Sequence, residues 1–215
     1  MDMTNTIITP IGMWRLPVLT GSEILTAVFL LIAVAIAAML LGLFAARKFK
    51  ASKWKTALAF AGIAVTVTAI LLCFFGLAVG TLRGALLCLV LVYCSFSDLK
   101  SREVDDYLHL MVLLTAFIGV EIAQIPTMLL SAILLTLPTM LVCILCQGRT
   151  IGGADIKLTA ACGFLLGLWK GSFGLTIGLL LGIIVNFIIQ LKKDKGASFP
   201  LVPYLAAGFM AAYFI

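Results

Sequence analysis

Apolar residues recur in this chain as long runs, and a run of about 20 leaves few options besides a helix that crosses a bilayer. Hydrocarbon offers no water to pair with the backbone, so each N–H and C=O must be satisfied inside the segment, as in an α-helix. Eight stretches qualify, near residues 24–46, 56–79, 84–97, 107–122, 126–146, 156–169, 171–190 and 201–215. The third, fourth, sixth and eighth are short, so their helices are expected to extend into flanking polar residues. Composition agrees, with 63% hydrophobic residues, 11% charged residues and a mean hydropathy of +1.23, outside the range of soluble domains. The expected fold class is all-α, a polytopic bundle of about eight transmembrane helices in the lipid bilayer. The polar stretches between the runs are too short for a further domain.

Fifteen Lys and Arg stand against nine Asp and Glu, a net charge of +6. In a soluble protein that excess would point to nucleic acid, whereas here it reports orientation, because basic loops stay in the cytoplasm. With eight crossings and the N-terminus outside, the inner loops are 47–55, 98–106, 147–155 and 191–200. Twelve of the fifteen basic residues then fall on or beside the inner side, from Arg47 through Arg149 to Lys195, leaving Arg15, Arg83 and Lys170 outside. The segment Met1 to Glu23 has no short apolar core ending in a small-residue cleavage site, so the first helix is expected to be retained. All six cysteines lie inside or at the ends of apolar stretches, where they read as packing residues. Cys143 and Cys146 form a single Cys-x-x-Cys pair, which lacks the partners of a four-ligand zinc site. Gly174, Gly178 and Gly182 recur every four residues in the seventh run, a spacing that lets a neighbouring backbone approach closely.

Two acidic residues stand where a helix meets an inner loop, Asp98 and Asp155. Two crossings separate them, an even number, so both carboxylates emerge on the same face and can meet. A carboxylate pair hydrolyses a peptide when one ionised Asp takes a proton from water and one protonated Asp polarises the scissile carbonyl. Proximity supplies that division, because like charges about 3 Å apart share a proton rather than both ionise. Asp98 lies at the negative C-terminal end of its helix and Asp155 at the positive N-terminal end of its own, which makes Asp155 the base and Asp98 the acid. Gly152 and Gly153 are expected to let the backbone turn tightly and approach a substrate strand, while Lys157 anchors the helix start at the headgroup level. The plainer reading is that both aspartates are interfacial charges or helix caps. His109, the single histidine, begins the fourth run near this face, and either tunes the pair or merely sits at the interface. Asn186 and Gln190, one turn apart, suit interhelical hydrogen bonding.

Three stretches in order, Asp98-Leu-Lys-Ser-Arg-Glu-Val-Asp-Asp-Tyr-Leu108, Gly152-Gly-Ala-Asp-Ile-Lys-Leu158 and Phe199-Pro-Leu-Val-Pro-Tyr-Leu-Ala-Ala-Gly208, resemble the type IV prepilin and preflagellin peptidases. These are intramembrane aspartic proteases with a Gly-x-Gly-Asp motif. The resemblance covers roughly residues 84–215, which implies a peptidase core there, preceded by N-terminal transmembrane helices and a basic loop in 1–83. It implies that Asp98 and Asp155 are the catalytic pair. It also implies an endopeptidase of the bacterial cytoplasmic membrane that cuts prepilin-like precursors between a short basic leader and an apolar helix. A dyad of this kind requires no metal and no organic cofactor.

Three departures from the family pattern are informative. Ala154 stands for the motif's second glycine. Val104-Asp105-Asp106 stands where the family usually has Ile-Pro-Asn, and with Glu103 these acids either meet a basic leader or form a solvated loop. Many bacterial relatives carry a cysteine-paired insert, associated with methylation, between their first two helices. Here that interval is the cysteine-free loop Arg47 to Lys55, which implies a peptidase without the methyltransferase. Two rivals use the same carboxylates differently. A small ion- or proton-coupled transporter needs counter-charges deep in the helices, and a metal-dependent membrane hydrolase needs a divalent ion.

Overall fold

The computed structural model describes residues 21–145, 152–192 and 199–215, with the side chains of 190–192 left aside. Arg15, Arg149, Lys193, Lys195, Cys146, the side chain of Gln190 and most of the segment Met1 to Glu23 therefore lie outside the described residues. The described chain is helical throughout: α1 (Gly21–Lys48), α2 (Lys53–Phe75), α3 (Val79–Ser101), α4 (Asp106–Ala116), a 3-10 turn (Ile122–Gln124), α5 (Ile125–Leu145), α6 (Gly153–Lys192) and α7 (Val202–Tyr213).

Local chemistry sets the helix ends. Gly76 stops α2 at φ 62°, and its N–H still reaches the carbonyl of Leu72. Arg102 closes α3 in the left-handed region at φ 59°, donating its N–H to the Asp98 carbonyl, as helix C-termini commonly do. Gly119, at φ 71°, lies in the turn that ends the fourth segment early. Gly167 does most to shape the bundle, since its φ 77° and ψ 177° break α6, a conformation glycine adopts at little cost. A β-carbon built on Gly171 would lie 3.6 Å from the Gly163 Cα, whereas a straight helix would put those positions about 12 Å apart. The chain therefore doubles back at Gly167, and α6 consists of two arms, 153–166 and 168–192.

Among the described residues, five helical stretches are long and apolar enough to cross a membrane: Gly21–Lys48, Lys53–Phe75, Val79–Ser101, Ile122–Leu145 and Gly153–Ile189. The expectation of about eight crossings is thus supported for five. The expected fourth segment is cut to the 11 residues of α4 and the expected eighth to the 12 residues of α7. The expected sixth and seventh are the two arms of one broken element. The third is longer than its apolar run, so Asp98 lies inside the last turn of α3 rather than in a loop.

Tyr93, Leu87, Leu158, Val112, Val202, Leu205 and Phe209 are fully buried at the centre. Large apolar side chains such as Phe29, Leu145 and Ile183 face outward, the arrangement of a surface solvated by lipid. Glycine sets the tightest helix contact. A β-carbon on Gly208 would fall 2.3 Å from the Gly174 carbonyl oxygen and 2.5 Å from the Gly178 nitrogen. Gly174, Gly178 and Gly182 are therefore packing residues, against which α7 lies. Cys88, Cys94 and Cys162 are buried between helices and act there as small hydrophobes.

Candidate active site

The last turn of α3 and the first turns of α6 and α7 meet at one end of the bundle. Asp98 and Asp155 are both 8% exposed there, and each is held by a backbone donor. Val202, the first residue of α7, donates its N–H to Asp98 Oδ2 at 3.2 Å. Gly152 donates its N–H to Asp155 Oδ2 at 3.1 Å, so the third residue of α6 reaches back to the residue before the helix. The two carboxylates are close enough for the charge of Asp98 to act on Asp155. The structure thus brings together the two acids that the sequence singled out.

The α7 contact revises the acid and base assignment. Asp98 does lie at the negative end of α3, but the positive end of α7 points at the same carboxylate. Both acids therefore accept from a helix N-terminus, and the dipole argument no longer separates their roles. This contact joins residues 104 apart in the chain, so no local pattern announces it. The signal present is Pro203, which favours a helix start there.

The glycines act differently from expectation. Neither Gly152 nor Gly153 has a positive φ, and a β-carbon on Gly153 would meet nothing within 4 Å. A β-carbon on Gly152 would lie 3.4 Å from Asp155 Oδ2, in ordinary contact with the carboxylate, so neither glycine makes a strained turn. Lys157 spans to α4 and bonds Asp106 Oδ1 at 2.6 Å. The hydrogen bond from Lys157 holds the exposed Asp106 carboxyl below its usual range. Lys48 pairs with Asp105 in the same way. Two of the three acids weighed as contacts for a basic leader are thus each matched to a lysine of the protein itself, and Glu103 lends its carbonyl to Ser97 and Ser101.

His109 is more closely tied to the site than its sequence position indicated. It is 7% exposed, and its Nε2 lies 3.1 Å from the Ala154 carbonyl oxygen. A carbonyl only accepts, so Nε2 carries the proton, while Nδ1 is buried with no partner. The α4 histidine thereby fixes the residue that precedes Asp155. Among the described residues no group of three or more His, Cys, Asp or Glu side chains stands together as a metal site.

Residues 85–191 match the family model described as the type IV leader peptidase family. No curated protein and no solved structure matches the chain. The matched stretch runs from α3 through both arms of α6 and includes Asp98, Asp155, Gly152, Gly153, Lys157 and His109. The chain belongs to the type IV leader peptidase family.

Proposed function

We propose that this protein is a membrane-embedded aspartic endopeptidase that removes the basic leader of prepilin-like precursors at the cytoplasmic membrane face, with Asp98 and Asp155 as its catalytic pair. The observation that carries this reading is the meeting of two buried carboxylates within electrostatic reach, each held by one backbone N–H. Each acid accepts that bond at Oδ2. One proton shared between them makes one Asp the acceptor of a proton from water and the other the donor to the scissile carbonyl oxygen. Water attack then gives a tetrahedral intermediate, and return of the proton to the leaving amine completes cleavage. The pair titrates as a unit, so the two roles belong to the dyad.

In this reading α1, α2, α3 and α5 cross once each, the two arms of α6 cross separately, and α4 and α7 complete the count, for about eight in all. The basic residues Arg47, Lys48, Lys50, Lys53, Lys55, Lys100 and Arg102 cluster at the carboxylate end, which supports a cytoplasmic site. A precursor with an apolar helix in the bilayer and a basic leader in the cytoplasm presents its junction at that depth. The context would be the bacterial inner membrane and a type IV pilus or related secretion system.

Co-expression with candidate precursors from the same genome tests this. Leader removal should occur with the unchanged protein, persist in membranes treated with a chelator, and fail with Asp98→Asn or Asp155→Asn. Loss of cleavage on chelation would instead favour a metal-dependent hydrolase.

A further inference from the structure

The other end of the bundle holds charges that the carboxylate pair does not use. A cavity of about 240 Å³ there is lined by Phe75, Arg83, Leu165, Leu166, Lys170 and Tyr213. Arg83 lies in the first turn or so of α3, and the rise from it to Asp98 is about 22 Å. That distance is most of a hydrocarbon thickness of about 30 Å, so a carboxylate pair at one boundary sets this cavity near the headgroups of the opposite leaflet. Trp169, 81% exposed, flanks Lys170 as indole rings do at membrane interfaces.

Among the described residues neither cation faces a carboxylate in this cavity. One Arg83 nitrogen, Nη2, donates to the Leu165 carbonyl at 2.7 Å, a carbonyl freed by the break at Gly167. Its Nε is buried and has no hydrogen-bond partner. The ion pairs Lys48–Asp105 and Lys157–Asp106 belong to the other end of the molecule. Ionisable groups at membrane depth are costly unless paired, and this cavity offers Arg83 and Lys170 no carboxylate.

We propose that the Arg83–Lys170 cavity binds the phosphate of a phospholipid headgroup from the leaflet opposite the carboxylates. A guanidinium fork matches two oxygens of a phosphodiester, and a lysine adds a point charge to a third. Phe75, Leu165 and Leu166 line the remainder with apolar surface suited to the glycerol and the root of an acyl chain. The cavity is smaller than the roughly 300 Å³ of sites for drug-sized ligands, which fits a headgroup rather than a bulkier anion. This inference needs the membrane setting but not the peptidase reading.

The test uses the full chain in a neutral detergent, with thermal unfolding followed during titration. Its arms are phosphatidylglycerol, a diacylglycerol with the same acyl chains, and inorganic phosphate. Phosphatidylglycerol should raise the unfolding temperature, and the other two should not. Lys170→Gln should weaken that response about tenfold in lipid concentration, as loss of a charge-assisted contact implies. Arg83→Gln should do the same or more. Because Arg83→Gln also uncaps Leu165, Lys170→Gln decides the matter if the arginine variant fails to fold. An equal response to diacylglycerol, or an unchanged response in Lys170→Gln, would overturn the proposal. Stabilisation by inorganic phosphate alone would assign the site to a soluble anion and overturn the lipid.

Discussion

His109 carries two different obligations at the scale of single residues. Its Nε2–H must reach the Ala154 carbonyl, and its ring must fill a buried space beside the first turn of α6. Phenylalanine keeps the volume and loses the bond from α4 to the start of α6, a net loss of about 0.5–1.5 kcal/mol. Glutamine can restore a donor at nearly the same reach. His109→Phe is therefore expected to lower the unfolding temperature and slow leader cleavage, with His109→Gln recovering part of both. Thermal unfolding in detergent and a cleavage assay read the two effects. Equal behaviour of Phe and Gln would leave the hydrogen bond with no part in the site. Asp98 and Asp155 were legible in the sequence because an acid at a membrane edge is expensive and an even number of crossings puts both on one face. The donors that hold them were not, because Val202 reaches Asp98 only once the bundle has closed.

Helical elements were legible for a physical reason, since a backbone in lipid must satisfy itself and an apolar run announces that demand. Their ends were less legible. The chain reverses at Gly167, inside the stretch 156–169 that reads as a continuous helix, because a glycine's left-handed backbone leaves no mark on hydropathy. Glycine also decides how two elements meet. At Gly208 a β-carbon would strike backbone atoms of Gly174 and Gly178, and no side-chain rotation can relieve a backbone clash. Gly208→Ala is thus expected to force α7 away from the second arm of α6 at a cost of about 1–3 kcal/mol. The same shift would draw Val202 from Asp98, so cleavage should fall along with stability. Gly153→Ala meets open space in a helical position and should leave stability within about 0.5 kcal/mol. Unfolding temperatures of the two variants, measured side by side, check that contrast.

Charge divides the whole molecule into two unlike ends. Among the described residues, one end gathers the carboxylate pair, the ion pairs Lys48–Asp105 and Lys157–Asp106 and most of the basic residues, and the other holds Arg83 and Lys170 around a cavity lined by no acid. Two of the three short stretches that carry the resemblance fall within one continuous region, α3 to the second arm of α6, which matches the leader peptidase family. The stretch Phe199 to Gly208, beyond that match, returns to the same end as α7 and supplies the donor to Asp98. Two acids that share a proton act as one unit, and a unit is lost whole when either member is neutralised. The most direct measurement is the cleavage rate of a purified precursor by the unchanged protein, by Asp98→Asn, by Asp155→Asn and by the double variant. Each single variant should lose about 10²–10⁴-fold in rate, and the double variant should be no slower than the singles. A single variant that still cleaves at the original rate, or losses that multiply in the double variant, would contradict a shared-proton pair.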